Sequence, residues 1–419
     1  MKSLHLALLL LATIGFQVSA LSLQDAQQIA LQQDPGQQIY RAQQASFIAQ
    51  GKHRATLADP MLKLGIANLP TDSFSLDSDA MTQLTLGISQ QFSRGNTLDI
   101  TQQGFQLQSE IAALQGLDRR LLVKKTVRDL WLNILFIEKS ILLVSKNKRF
   151  FSSSYRDLES QFALGLAENE DLIGAEIELG LFDEKLAKLT QQSLTYRSLL
   201  SEWIGVLAYD DLAPDIPPWF DTITYIERSE AMNFKHYPLL AKHPKVQALK
   251  HTILVANSQV NLAKQDYKPR FKVELGYGYR ASEMDNGETR SDLLSGFISM
   301  DIPLFTDQRQ DQKMISAQQN KGRQQAQHRL LVRKLNAQLN TEIVNYQQLL
   351  ARQQRYQQRL LKQARLHSKA LVQSYQSNTR PFKEVLQSYM HELNLSIEYQ
   401  QLYFDGLKSL SKIRYFQAL

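Results

Sequence analysis

Apolar positions along this chain switch period several times, and the switches mark its elements. Leu23 to Gln33 follows the helical period and stops at Asp34-Pro35; Gly36 to Ala58 is a second, Ala/Gln-rich helical stretch that stops at Asp59-Pro60. The period then drops to two. Leu62, Leu64 and Ile66 alternate with Lys63, Gly65 and Ala67, and after a polar loop from Thr71 to Ala80 the alternation resumes at Leu84, Leu86 and Ile88. This predicts a pair of strands joined by a long loop. From about Asn96 the pattern turns helical for roughly 60 residues, a rod about 90 Å long. Within it Val127, Leu130, Ile134, Ile137, Ile141 and Val144 form the seam of a coiled coil. The pattern breaks at Gly165 to Asn169 and restarts with Leu172, Ala175, Leu179 and Phe182 as far as Trp203, which predicts an antiparallel helical hairpin.

The same order of events then recurs. Arg120-Leu121-Leu122-Val123-Lys124-Lys125 returns as Arg329-Leu330-Leu331-Val332-Arg333-Lys334, 209 positions later, and the same offset carries Pro35 onto Pro244 and Pro60 onto Pro269. Leu84 and Ile88 fall on Leu294 and Ile298 at offset 210, and Phe162-x-x-Gly165 falls on Tyr375-x-x-Asn378 at 213. A nearly constant offset that drifts at loops implies two copies of one unit. The expected organisation is therefore residues 1–20 outside the fold and a first repeat over 21–210 with strands in about 61–93. A Pro-rich linker follows over 211–235, then a second repeat over 236–419 with strands in about 270–304. The second copy carries strands at Phe271 to Tyr279 and Leu294 to Ile302, a long helix from about Gln308 to Tyr375, and a last helix reaching Phe416.

Residues 1–20 read as an export signal: Lys2, an apolar run from Leu4 to Ile14 too short to span a bilayer, and Val18-Ser19-Ala20 as a small-residue cleavage site. The 419 residues include no cysteine, which excludes disulfides, thiolate metal sites and a lipid anchor on cysteine. A net charge of +7, spread among Gln and Glu on helices, argues against nucleic-acid binding. No catalytic constellation, phosphate loop or cofactor motif is evident. The histidines, among them His236, His243 and His251, lack metal-ligand spacing and read as surface or internally satisfied groups. The chain is thus not expected to be an enzyme, to carry a cofactor or to hold a metal.

The strands carry the strongest argument. They have the length and alternation of tilted strands crossing an outer membrane, although a sheet lying on a soluble core alternates in the same way. Four strands cannot close a barrel, and an open edge is not tolerated in lipid. No helix is free to cover them, because the helices already carry coiled-coil seams. Closure by several copies is the better reading. Leu62, Leu64, Leu86, Ile88, Phe271, Val273, Leu294 and Ile298 are then the lipid-facing set, with Gly276 and Gly278 among small lumen-facing residues. Phe74, Phe92, Phe271, Tyr277 and Tyr279 suit an interfacial girdle or ordinary strand packing equally well.

In this layout the chain resembles the TolC family of outer-membrane efflux ducts. The resemblance rests on the duplicated unit, on Asp59-Pro60-x-Leu62-x-Leu64-Gly65, Lys268-Pro269-x-Phe271 and Ile302-Pro303-Leu304-Phe305, and on the aromatic-x-x-Gly turns at Phe162 and Tyr375. Asn378 stands where the family has Gly; Asn tolerates the left-handed conformation. The stretch from Asp59 to Pro70, with Gln90-Gln91-Phe92, is similar to the heavy-metal (CzcC-like) branch. The resemblance implies a mainly α fold with a small β part: a homotrimer with a 12-stranded transmembrane β-barrel, four strands per chain, on a long α-helical barrel. It also implies placement in the outer membrane of a Gram-negative cell, extending into the periplasm. The implied partners are outer-membrane lipid, a periplasmic adaptor (membrane fusion protein) and an inner-membrane RND pump, with heavy-metal cations as cargo. Drug efflux and type I protein secretion share such a duct. A periplasmic coiled-coil adaptor is the alternative of a different class; the amphipathic strands and the missing lipoyl-like repeats argue against it.

The resemblance makes Phe162, Gly165, Leu166, Tyr375, Asn378 and Thr379 the adaptor-docking tips. Beside them, Glu168, Glu170 and Asp171 would form an acidic ring in a trimer, favouring cations. Acidic residues at a helix start also suit the helix dipole, and Asn169 could cap that helix.

Overall fold

Proline, glycine and polar runs cut the chain where its period changes. The computed structural model describes residues 20–230, 232–377 and 379–419; the signal segment lies outside them save Ala20, as does Asn378. The elements are α1 (Leu23–Gln33), α2 (Pro35–Arg54), β1 (Met61–Ala67), β2 (Gln83–Gln91), α3 (Thr97–Ala163) and α4 (Asn169–Ile204). They are followed by α5 (Phe220–Ser229), α6 (Tyr237–Leu240), α7 (Pro244–Gln265), β3 (Phe271–Tyr279) and β4 (Leu293–Met300). Last come α8 (Gln310–Arg355), α9 (Leu361–Gln376) and α10 (Phe382–Phe416). A 3₁₀ turn covers Gly205–Tyr209, and a π-helical turn, Tyr356–Leu360, joins α8 to α9. No described helix is long and apolar enough to cross a membrane.

The helix ends follow local chemistry. Ser22 caps α1, accepting from the Asp25 N–H at 3.1 Å while its hydroxyl donates to the Asp25 carboxylate at 2.6 Å. Pro244 opens α7 behind His243, whose Nδ1 accepts from the Lys245 N–H at 3.3 Å. Helix α5 falls in the stretch expected to be a plain linker. Thr222 and Ile226 are buried on one of its faces, four residues apart, beside Trp219.

The chain forms two compact units, each drawn from both halves of the sequence. One takes the chain through Asp34, Val123–Glu227 and Glu342–Ile413; the other takes Pro35–Leu122, Arg228–Thr341 and Arg414–Leu419. In the first, Val144, Phe151 and Leu158 of α3 step by seven and meet Ala175 and Phe182 of α4 and Leu386 and Leu393 of α10, which also step by seven. Phe151 and Phe182 stack at 5.4 Å between ring centroids. Of the expected seam, Val127, Ile134, Ile137 and Val144 are buried, whereas Leu130 and Ile141 are half-buried. The buried face is wider than a seam here, because Val123, Trp131, Leu132 and Leu135 are also enclosed. A helix packed on several sides buries more than an a/d stripe. Phe136, for example, meets Phe404 of α10 at 6.0 Å.

The second unit contains the sheet, an antiparallel meander in the order β1-β2-β3-β4. β2 pairs with β3 although some 180 residues of chain separate them, so both halves of the sequence build one sheet. β1 and β4 are its edges.

Candidate functional site: the amphipathic sheet and the helical tips

Strand register sorts every sheet side chain onto one of two faces, because paired residues share a face and neighbours alternate. Leu62 pairs with Ile88, Leu64 with Leu86 and Ile66 with Leu84. Ile88 in turn pairs with Leu275, Leu86 with Tyr277 and Leu84 with Tyr279. Phe271 pairs with Met300, Val273 with Ile298 and Tyr277 with Leu294. All eight residues expected to face lipid therefore lie on one face, which is apolar across four strands. Among the described residues nothing covers it: Leu64, Leu294 and Ile298 are 76%, 82% and 78% exposed. A continuous exposed apolar face of this extent marks a surface meant for lipid or protein. Phe271, Tyr277 and Tyr279 stand on this face, and the Phe92 N–H bonds the Phe271 carbonyl at 2.8 Å.

The other face is small and polar. Gly65 pairs with Thr85 and Lys63 with Gly87, and beyond them lie Gly276, Gly278, Ser295 and Ser299. Met61, Leu293 and Phe297 share this face with them.

The tips belong to the first unit. After α3, the Gly165 N–H donates to the Phe162 carbonyl at 3.0 Å and the Leu166 N–H to the Gln161 carbonyl at 2.9 Å. This is the Schellman closure, and Gly165 occupies its left-handed position with φ +72°. After α9 the corresponding long bond runs from the Thr379 N–H to the Ser374 carbonyl at 2.9 Å. The aromatic-x-x-Gly spacing thus places the aromatic ring at the last helical turn and the glycine where the chain reverses. Tyr375 stacks on Phe382 at 5.1 Å, and its hydroxyl donates to Gln161 Oε1 at 2.7 Å, which ties one turn to the other. Leu166 is 74% exposed and Phe162 partly so. A cavity of about 390 Å³ lies between the turns, lined by Gln161, Leu166, Glu168, Asp171, Tyr375 and Thr379 among others.

The acidic residues sit at the start of α4, where Glu168 is the N-cap and Glu170 and Asp171 lie in the first turn. Asn169 is not the cap, contrary to expectation, and the Glu168 side chain makes no capping bond. The capping explanation of this cluster is therefore removed, and the dipole explanation stands. Burial, followed by repulsion from Glu170 and Glu168, raises the Asp171 pKa, with Lys383 acting in the opposite direction.

His236 and His243 are buried and satisfied: His236 Nε2 lies 2.8 Å from Asn340 Oδ1, and His243 Nε2 3.2 Å from the Tyr415 carbonyl. Among the described residues no group of His, Asp and Glu could hold a metal ion.

The family model for outer membrane efflux proteins matches residues 237–397. Solved structures match across 94% of the chain. The outer membrane protein VceC of Vibrio cholerae is 16% identical, with a TM-score of 0.75 and 96% of its own length covered. CusC is 13% identical at 0.75, with 91% covered, and the Campylobacter jejuni CmeC outer membrane channel is 13% identical at 0.74, with 85% covered. The chain has the fold of the outer membrane efflux proteins. That TolC-like fold accounts for the mostly helical architecture with a small antiparallel sheet. Proteins of the efflux family are passive channels, not enzymes. Among curated proteins, none matches this chain in sequence.

Proposed function

We propose that this chain is the outer-membrane exit duct of a tripartite efflux pump and works as a homotrimer. The observation that carries the reading is the one-sided sheet: an apolar face across four strands, a polar face behind it, and two open edges. A meander with an even number of strands has edges that run in opposite directions. β4 of one copy can therefore pair antiparallel with β1 of the next, and three copies give a closed 12-stranded barrel. Closure removes the edges that lipid would not tolerate. Lipid then covers the apolar face and the polar face lines a lumen. The tips offer their exposed turns to a periplasmic adaptor, which connects the duct to an RND pump.

Heavy-metal cations are the proposed cargo, as in the CzcC-like branch that the sequence resembles, with three copies of the acidic turn favouring cations. Fractionation tests the duct itself. The chain should sediment with outer membrane and migrate as a heat-modifiable oligomer, and its deletion should sensitise cells to the cargo of the cognate pump. A soluble, monomeric periplasmic protein would overturn the reading.

A further inference from the structure

The polar face of the sheet carries a charge pattern that a neutral conduit has no use for. Arg270, Lys272 and Glu274 alternate along β3 and its approach, so all three stand on that face. Lys272 Nζ lies 2.8 Å from Glu274 Oε2, and Lys63 of β1 pairs with the other oxygen of Glu274, reaching past β2. It can do so because its lateral row continues through Gly87, Gly276 and Ser295, with no bulky side chain in the way. One tier closer to the helices, Arg94 pairs with Asp301, and Arg270 Nη2 lies 3.7 Å from the same carboxylate. Arg94 also donates to the Lys268 carbonyl at 2.6 Å. Each tier therefore holds two cations for one carboxylate. The outer tier is open to solvent, with the Lys63 side chain 47% exposed.

We propose that Lys63, Lys272 and Glu274 set an anion-favouring ring in the lumen of the strand section, on which inorganic anions concentrate. The inference rests on the duct reading, since only a closed barrel turns this face into a lumen. Each protomer would contribute one net positive charge at this tier, and a lumen with low-dielectric walls focuses such charge. Lys63 and Lys272 supply the preference and Glu274 limits it. The sign is opposite to that of the acidic turns, so any cation preference of the duct belongs to Glu168, Glu170 and Asp171 and not to the strands.

The test is the reversal potential of the purified full chain in planar bilayers under a KCl gradient kept below about 0.1 M, where charges act over about 10 Å. E274Q should shift the potential toward chloride, and K63Q and K272Q should each shift it toward potassium. All three shifts should fade near 1 M salt, where screening shortens to about 3 Å. Should E274Q fail to assemble, S299K adds a cation on the same face, directly opposite Lys272, and should shift the potential toward chloride. Conducting channels that share one reversal potential across the series would overturn the ring. Absence of any conductance from the unmodified chain would overturn the duct reading instead.

Discussion

Single residues test the two faces of the sheet separately. Leu64 and Ile298 lie on the apolar face at mid-strand, opposite Leu86 and Val273. Arg at either site should cost roughly 2–4 kcal/mol of assembly if that face meets lipid at mid-depth. Polar replacements at Thr85 or Ser299, on the other face, should leave the yield of the proposed outer-membrane trimer nearly unchanged. Equal tolerance on both faces would sink the lipid assignment. His243 makes a second residue-scale prediction. Its Nδ1 accepts the Lys245 N–H, so the proton sits on Nε2 and is donated to the Tyr415 carbonyl. Burial lowers its pKa below 6.5, and Lys245 adds to this; Asp118 and the Tyr415 carbonyl oppose it. The native state therefore holds His243 neutral more firmly than the unfolded chain does. Its contribution to stability is present above the unfolded pKa and is lost as pH falls from about that value through the lower folded one. Melting temperature followed from pH 7 downward should fall less steeply in H243N, which keeps a capping acceptor but removes the titrating ring.

At the scale of elements, the helical tips and their coiled coil make distinct claims. Gly165 holds φ +72° with open space around its Cα, so only backbone strain opposes a side chain there. G165A should destabilise the turn by about 1–2 kcal/mol, and G165N by less, because Asn tolerates that conformation. Amide exchange at Leu166, whose N–H closes the turn, is the measurement. Phe182 is 1% exposed and packs on Phe151 in the bundle behind the tips. F182A should cost about 3–5 kcal/mol and loosen both turns together. If the turns dock an adaptor, cysteines at Leu166 and Thr379 should crosslink to it. Crosslinks instead from Asp77 or Gly287, in the strand loops, would invert the proposed orientation.

At the scale of the whole molecule, the acidic turn separates a cation mouth from a helix start. Replacing Glu168, Glu170 and Asp171 by Gln, Gln and Asn removes the charge while keeping side-chain size, and the N-cap of α4 makes no side-chain bond that could be lost. Trimer assembly should stay normal while metal tolerance or single-channel cation preference falls. Unchanged transport with normal assembly would leave the dipole explanation alone in place. Because Asp171 titrates above its usual range, the cation preference should begin to decline at a higher pH than an ordinary aspartate ring would allow.

What the sequence determined by itself was whatever depends on neighbours within a few turns. Period two against period 3.6 located the four strands and the long helices, and the alternation from Leu62 to Ile66 and from Phe271 to Tyr279 already assigned faces. The aromatic-x-x-Gly spacing located the turn of α3 because the Schellman closure is a local hydrogen-bond pattern. Pro-rich composition hid α5, whose buried face exists only against its surroundings. Asn169 looked like a cap by residue type, but the cap is decided by where the backbone leaves helical geometry, at Glu168. Tertiary structure alone decided the pairing of β2 with β3, the broad burial of α3 around Trp131, and the meeting of Lys63 with Glu274 across 211 positions. No periodicity records such contacts, since they arise when segments distant in the chain compete for the same partner surface.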